Sequence, residues 1–189
     1  MNDMDKQLVI RALNLLGKRL GEAVNHNHQV EIILIGGVAG MLSGELQADR
    51  TTMDCDVLAI SPKDNWELIQ KTAHRVADQL GLSPSWLNNK ARIFAYMLPL
   101  GWRKRLHEIP GQFGSCRLQR VDRLDLICMK IFGAIKRPVD REDLSFMKPT
   151  QEELNFAEEN LNRLQSESLF GEDYQQERTF INILRTRTP

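Results

Sequence analysis

The sequence predicts an α+β fold in which a small mixed sheet with flanking helices is followed by a helical lobe. Two apolar runs, residues 32–35 and 57–60, are typical of buried strands. Beyond Asp122 the apolar residues recur at helical spacing. The chain has 189 residues, 42% of them hydrophobic, enough for one good-sized domain or two small lobes. We therefore predict an α/β lobe over residues 1–121 and a helical lobe over 122–189, packed on it.

Periodicity and turn residues predict the elements at the start of the first lobe. Leucines at helical spacing indicate a helix over residues 4–20, which Gly21 can end. A strand is expected over residues 30–35, a short helix over 38–46 after a Gly-Gly turn, and a second strand over 53–60.

Breaker residues then divide the middle of the chain. Ser61-Pro62 ends the second strand, Asp64 can cap a helix over residues 65–80, and Gly81 can end that helix. Alternating residues predict three further strands, over 92–98, 103–109 and 116–121. The helices predicted beyond Asp122 cover residues 123–136, 140–147, 151–165 and 173–184.

Composition excludes several classes of protein. The formal net charge is zero, so nothing attracts the chain as a whole to nucleic acid or to a membrane. No apolar run approaches the ~20 residues that span a bilayer, and the N-terminal residues lack the basic start of a signal peptide. The three cysteines show no metal-ligand spacing. We expect a cytoplasmic protein with buried, reduced thiols.

Two local patterns suggest a phosphate and metal site. Asp54 and Asp56 are two apart, so in a strand both carboxylates lie on one face. Such a pair suits Mg²⁺ (or Mn²⁺), which takes oxygen ligands and binds substrate phosphates. Gly36-Gly37 follows a strand, and glycine allows a backbone to approach a phosphate closely. Taken alone, each pattern is more often a surface strand or a simple turn.

The combination is more specific. Strand, Gly-Gly, short helix, Arg-x-Thr-x-Asp-x-Asp and strand together resemble the first motif of the nucleotidyltransferase superfamily with the DNA polymerase β-like fold, in particular the AbiEii-like branch and its uncharacterised relatives. The resemblance implies that Asp54 and Asp56 are catalytic metal ligands. It also implies that the nucleoside triphosphate is bound by Gly36, Gly37, Arg50 and Thr52. Gly37 stands where many members have Ser.

A second motif lies downstream. Asp125-Leu-x3-Lys130, followed by Arg137-x2-Asp140-x2-Asp143-Leu, is similar to a motif of the same AbiEii-like families. The resemblance implies a catalytic role for Lys130 and nucleotide-binding roles for Arg137, Asp140 and Asp143. The alternative is structural: Lys130 pairs with one of the two aspartates and ties two helices together, and Asp140 caps a helix.

The segment Leu98-Pro99-Leu100-Gly101-Trp102-x2-Arg105 is also similar to one in the uncharacterised relatives, so the resemblance covers about residues 30–147. A third metal-binding carboxylate is hard to find, since Glu108 is the only acid in a predicted strand after Asp56. Basic residues dominate from Trp102 to Arg137 and suit phosphates or an RNA backbone.

These observations favour a nucleotidyltransferase that moves a nucleoside monophosphate from a triphosphate to an acceptor hydroxyl. If the AbiEii-like toxin branch is the right comparison, RNA, for example tRNA, is a candidate acceptor and an antitoxin protein a candidate partner; sugar-like and protein acceptors are equally open. The alternative is a non-catalytic member of the same fold that binds a nucleotide or a partner protein.

Overall fold

A computed structural model describes residues 3–23, 30–111, 113–114, 116–168 and 171–187. Its architecture confirms the predicted α+β class. The helices are α1 (Lys6–Ala23), α2 (Gly36–Ser43), α3 (Trp66–Leu80), α4 (Arg123–Ala134), α5 (Pro138–Met147), α6 (Gln151–Glu167) and α7 (Gln175–Arg187). The strands are β1 (Val30–Ile35), β2 (Cys55–Ser61), β3 (Leu87–Asn88), β4 (His107–Glu108) and β5 (Cys116–Arg120).

The five strands form one mixed sheet in the order β3-β2-β1-β5-β4. The central strand β1 runs antiparallel to β2 and parallel to β5. The β2–β3 pair is parallel, and the β4–β5 pair is antiparallel. Every residue of β1 except Glu31 is buried, because strands flank it on both sides and the core packs against it.

Two helices, α1 and α3, pack against each other and supply much of the core beside the sheet. The apolar residues of α1 recur at helical spacing, so Leu13, Leu16 and Leu20 are all fully buried on one side. Gly21 does not end α1, which continues to Ala23, whereas Gly81 in the left-handed conformation does end α3.

The helices after β5 gather around α4, which packs on α2, α5, α6 and α7. Asp122 caps α4 by accepting a hydrogen bond from the Leu124 amide at 2.8 Å. Thr150 and Glu153 form a capping box at the start of α6. The predicted lobe boundary falls between the end of β5 and the start of α4, and the division into two lobes stays a prediction.

Two of the predicted strands are wrong. Residues 90–97 form a 3₁₀ segment (Lys90–Met97), and residues 102–105 form another (Trp102–Arg105), so only His107 and Glu108 of the predicted 103–109 strand join the sheet. Alternation in these stretches reflects packing of a 3₁₀ segment on β2 and not a strand. A third 3₁₀ segment, Lys63–Asn65, precedes α3.

The short strand β3 was not predicted, because tertiary contacts create it. The backbone amide of Cys55 donates to the carbonyl of Trp86 at 2.5 Å. The indole of Trp86, fully buried, donates to the carbonyl of Ala73 in α3 at 2.9 Å. These contacts hold the next two residues against β2, and nothing in local periodicity indicates them. None of the helices in the described ranges is long and apolar enough to cross a membrane.

Candidate functional site

The end of β1 and the start of α2 form the first part of the candidate site. Gly36 has φ +75°, a conformation that favours glycine, and a Cβ built there would lie 3.0 Å from Oδ2 of Asp56. A Cβ at Gly37 would lie 3.4 Å from Oγ1 of Thr52 and 3.9 Å from Nη2 of Arg50. The structure thus brings these five sequence-predicted residues together around one turn.

The N-terminus of α2 opens directly from this turn. No side chain caps it, so its first backbone N–H groups have no side-chain acceptor at the cap position. Uncapped N–H groups and the positive end of the helix dipole favour an anion such as a phosphate. The helix begins at Gly36, two residues earlier than predicted, and the glycine pair is therefore part of its first turn.

The two carboxylates lie beside the glycine turn. Asp54 immediately precedes β2 and Asp56 lies within it, opposite Ile35. Burial, and then the negative charge of Asp54, raise the pKa of Asp56 to about 6. The nearby amide of Asn88 and the charges of Arg137 and Lys90 act in the opposite direction. The effect of Asp54 on the pKa of Asp56 is consistent with two neighbouring carboxylates.

Asn88 is a site residue that the sequence interpretation missed. Its side chain is 7% exposed, and its amide nitrogen donates to Oδ2 of Asp54 at 3.1 Å. Its amide oxygen accepts the backbone N–H of Lys90 at 3.0 Å. The pair Asn88-Asn89 is typical of a loop. The available signal was a polar amide directly after the apolar pair Trp86-Leu87.

Two neighbouring carboxylates suit a hard divalent cation that also binds substrate phosphates. Mg²⁺ is commonly held by only one or two protein carboxylates. Within the described residues, no group of three or more His, Cys, Asp or Glu side chains could hold a metal ion. The pair Asp54 and Asp56 fits a metal that completes its shell with phosphate oxygens and water.

The neighbouring strands carry two further acids on this face of the sheet, Glu31 and Glu108, and both pair with Arg117. Glu108 lies in the edge strand β4, and its carboxylate pairs with Arg117, with 2.6 Å between Oε1 and Nε. Gln119 of β5 lies on the same face as Asp56, according to the strand register. Its amide oxygen is buried and has no hydrogen-bond partner in the described part of the chain.

The loop before the carboxylates is held from two directions. Thr52 donates its hydroxyl to the backbone carbonyl of Asp54 at 3.0 Å. The backbone of Thr52 also pairs with Met4, with N···O distances of 2.7 and 2.9 Å. Arg50 donates Nε to Oδ1 of Asp143 in α5 at 3.0 Å. Arg50 therefore connects the glycine turn to the helices that follow the sheet.

Behind Arg50 lies a buried charge network. Lys130 of α4 is 3% exposed, and its ammonium donates to Asp143 at 2.6 Å and to Asp140 at 3.1 Å. Asp140 also contacts Arg137, with 2.6 Å between Oδ2 and Nη2. These are the contacts of the structural alternative, in which Lys130 ties α4 to α5. A contact between Lys130 and a triphosphate stays a prediction.

Arg137 is the network's exposed member. Its side chain is 64% exposed, and its charge is among those that lower the pKa of Asp56. Gly133 makes room for it, since a Cβ at Gly133 would overlap Oδ2 of Asp140 and lie 2.5 Å from Nη2 of Arg137. The network thus links Arg137, through Asp140, Lys130 and Asp143, to Arg50 beside the glycine turn.

Two other residues of the similar motifs meet away from the carboxylates. Arg105 forms a bidentate pair with Asp125, with distances of 2.6 and 3.3 Å, and Asp125 is fully buried. Burial raises the pKa of Asp125, and the pairing with Arg105 opposes that rise. Since this pair fastens the Trp102–Arg105 segment to α4, its geometry indicates a structural role.

A larger cavity, of about 1040 Å³, lies elsewhere, between α5, the start of α6 and α7. Leu144, Phe180 and Ile183 are among its apolar lining residues, and no acid lines it. We assign the candidate site to the carboxylates and not to this cavity, because metal and phosphate chemistry needs oxygen ligands and positive charge.

A strand that leads into Gly-Gly, a helix that starts there, and one carboxylate within the antiparallel neighbour with a second just before it are typical of the nucleotidyltransferase class. The chain belongs to the family described as "Nucleotidyltransferase of unknown function (DUF6036)", whose profile matches residues 11–168. The match confirms the predicted superfamily and does not extend to the AbiEii-like branch. No curated protein and no solved structure matches the chain significantly.

Proposed function

We propose that this protein transfers a nucleoside monophosphate from a nucleoside triphosphate to an acceptor hydroxyl. The acceptor oxygen forms a bond to the α-phosphorus, the bond from that phosphorus to the bridging oxygen breaks, and pyrophosphate leaves. The proton of the acceptor hydroxyl is released. The observation that carries the proposal is the convergence of the glycine turn, Asp54, Asp56 and Arg50 on one side of the sheet.

The chain's own residues supply binding and orientation. The first N–H groups of α2, at Gly36 and Gly37, are suited to the triphosphate, and Arg50 adds a positive charge beside them. Thr52 fixes the backbone of Asp54, and Asn88 fixes its carboxylate. These contacts limit the movement of the site before the nucleotide binds, which lowers the entropic cost of reaction.

Asp54 and Asp56 are the residues that would hold Mg²⁺ (or Mn²⁺). When bound, such an ion neutralises charge on the phosphates and polarises the phosphorus–oxygen bonds. The raised pKa of Asp56 supports this role, because the two carboxylates repel each other in the metal-free protein. Arg137, whose charge lowers the pKa of Asp56, would stabilise the negative charge that develops on the leaving pyrophosphate.

The finer parts of the proposal concern the acceptor. RNA, including tRNA, fits the basic residues between Trp102 and Arg137, and an antitoxin partner would follow from the AbiEii-like comparison. One observation favours the alternative of a non-catalytic member that binds a nucleotide or a partner: the described residues offer two metal-binding carboxylates and no third. Pyrophosphate release, measured with each triphosphate, separates the two functions.

The test of the proposed site uses thermal shift and calorimetry with each nucleoside triphosphate, with and without Mg²⁺. We expect a shift that requires both metal and nucleotide, and its loss in Asp54→Asn. The matched control is Asp78→Asn, an exposed acid of α3 that is not part of the site. Metal-dependent binding that survives in Asp54→Asn would remove this carboxylate from the site.

A further inference from the structure

A small cavity, of about 200 Å³, lies along β2 just beyond the carboxylates. Residues 57–60, which follow Asp56 directly, form one wall, and Asn89, which follows Asn88, also lines it. Since β3 pairs only with Cys55 and Asp56, the rest of β2 has no strand on its outer side. In place of a strand, two of the 3₁₀ segments contact β2 there. The cavity therefore begins where the candidate site ends.

Three cations line this cavity, and each comes from a different 3₁₀ segment. They are Lys63, Arg92 and Arg103, and no acid is among the lining residues. None of the three makes an ion pair within the described residues, although Arg103 lies over the ring of Trp102 at 4.4 Å. Several other arginines do have carboxylate partners: Arg50, Arg105, Arg123 and Arg137.

We propose that this cavity, the anion pocket, binds a phosphate group of the acceptor. The inference rests on the proposed function and deepens it, because it makes the acceptor a phosphorylated molecule. The three exposed cations stand around the apolar wall of β2, and a phosphate accepts charge-assisted hydrogen bonds from such groups. Guanidinium groups suit phosphate oxygens in particular.

The size and place of the anion pocket separate it from the triphosphate site. Pockets for whole small-molecule ligands measure about 300–1,000 Å³, so about 200 Å³ suits one phosphate with part of its ester group and not a complete triphosphate. The glycine turn and Arg50 lie at the other end of the carboxylate pair, beside α2. A phosphate in the anion pocket would therefore position an acceptor hydroxyl next to Asp54 and Asp56.

The first test measures binding of inorganic phosphate by calorimetry in EDTA at fixed ionic strength, so that no metal-bound nucleotide contributes. We expect Arg92→Ala to weaken binding about tenfold, the usual effect of one charge-assisted contact, and Lys63→Ala to act in the same direction. Arg75→Ala is the matched control, an exposed arginine of α3 outside the pocket. An equal loss in Arg75→Ala would indicate simple charge attraction and overturn the inference.

Arg50→Ala shows which site the probe occupies. We expect unchanged phosphate binding in this variant. If Arg50→Ala loses phosphate binding while Arg92→Ala keeps it, the phosphate occupies the triphosphate site and the inference is overturned. Melting temperatures confirm that each variant is folded. If the protein binds triphosphate with Mg²⁺ but does not bind phosphate, the anion pocket alone is refuted. If it binds phosphate but not triphosphate, the proposed function alone is refuted.

A competition experiment distinguishes the sources of the phosphate. If 5′-AMP and a hexanucleotide displace phosphate in proportion to their number of phosphates, the acceptor is a small phosphorylated molecule. If only the hexanucleotide displaces it, the acceptor is a polynucleotide. If neither displaces phosphate at concentrations well above its Kd, the pocket excludes phosphate esters and the inference fails.

Discussion

Replacing Lys130 tests whether the buried network is a structural tie or part of the nucleotide site. The variant Lys130→Met keeps most of the aliphatic stem of the side chain. It removes the ammonium group that donates hydrogen bonds to Asp140 and Asp143. Removing one partner of a buried ion pair destabilises a protein by about 3–5 kcal/mol, because the remaining charge is left without compensation. Asp143 keeps Arg50 and Asp140 keeps Arg137, so we expect the lower end, about 3 kcal/mol.

That change is large enough to measure in two ways. For a chain of this length, 1 kcal/mol corresponds to about 2–4 °C in Tm, so Lys130→Met should melt about 6–12 °C lower. Urea unfolding should show a lower midpoint with an unchanged slope. The control Lys136→Met replaces an exposed lysine just beyond α4 and should stay within about 0.5 kcal/mol of the wild type.

A double-mutant cycle with Asp143→Asn completes the test. If the two side chains stabilise each other, the double variant is more stable than the sum of the single effects predicts, by about 0.5–3 kcal/mol. The reasoning is refuted if Lys130→Met melts like the wild type while its Mg²⁺-dependent nucleotide affinity falls. That result would mean that the ammonium acts on the triphosphate, as the family resemblance implies.

Four further variants test the carboxylates and their surroundings. Burial and Asp54 raise the pKa of Asp56 to about 6, above its ordinary 3.8, so the folded protein binds this proton more tightly and loses stability as pH rises from about 4 to 6. Asp56→Asn should therefore raise the free energy of unfolding by about 1–2 kcal/mol in EDTA at pH 7, and by much less at pH 4. If urea unfolding shows no gain in stability at pH 7, the pKa of Asp56 is not raised. Gly37→Val should weaken triphosphate binding with little change in Tm. Gly36→Val should lower both the triphosphate affinity and the Tm, because of these two glycines Gly36 alone has a positive φ and approaches Oδ2 of Asp56. Asn88→Ala should weaken Mn²⁺ binding about tenfold in calorimetry, since it frees the carboxylate of Asp54, and unchanged affinity would limit Asn88 to a structural role.

The parts of the fold that could be predicted from the sequence are those that local patterns encode. Apolar runs predicted β1 and β2, helical spacing predicted α1 and the helices from α4 to α7, and cap and breaker residues predicted α3. The glycine turn and the two carboxylates were predicted because a strand places alternate residues on one face, and such a rule needs no knowledge of the rest of the chain.

Sequence reasoning failed where distant contacts decide the structure. The strand β3 exists because Trp86 is buried against α3, and the amide of Asn88 reaches Asp54 across 34 positions of the chain. The sequence indicated Asp140 and Asp143 as possible partners of Lys130. It could not decide whether Lys130 ties two helices together or contacts a nucleotide. The answer depends on whether the face of α4 that carries Lys130 points toward α5, and the packing of α4 on α5 determines this orientation.

The contact between Arg50 and Asp143 joins residues 93 positions apart in the chain. A ribosome that adds about 5–20 residues per second makes Asp143 roughly 5–20 s after Arg50. The carboxylates of β2 therefore leave the ribosome well before α5 can hold the arginine beside them. A nascent chain arrested between these two points would carry the two carboxylates without an anchored arginine, so the site becomes complete only after α5 has docked.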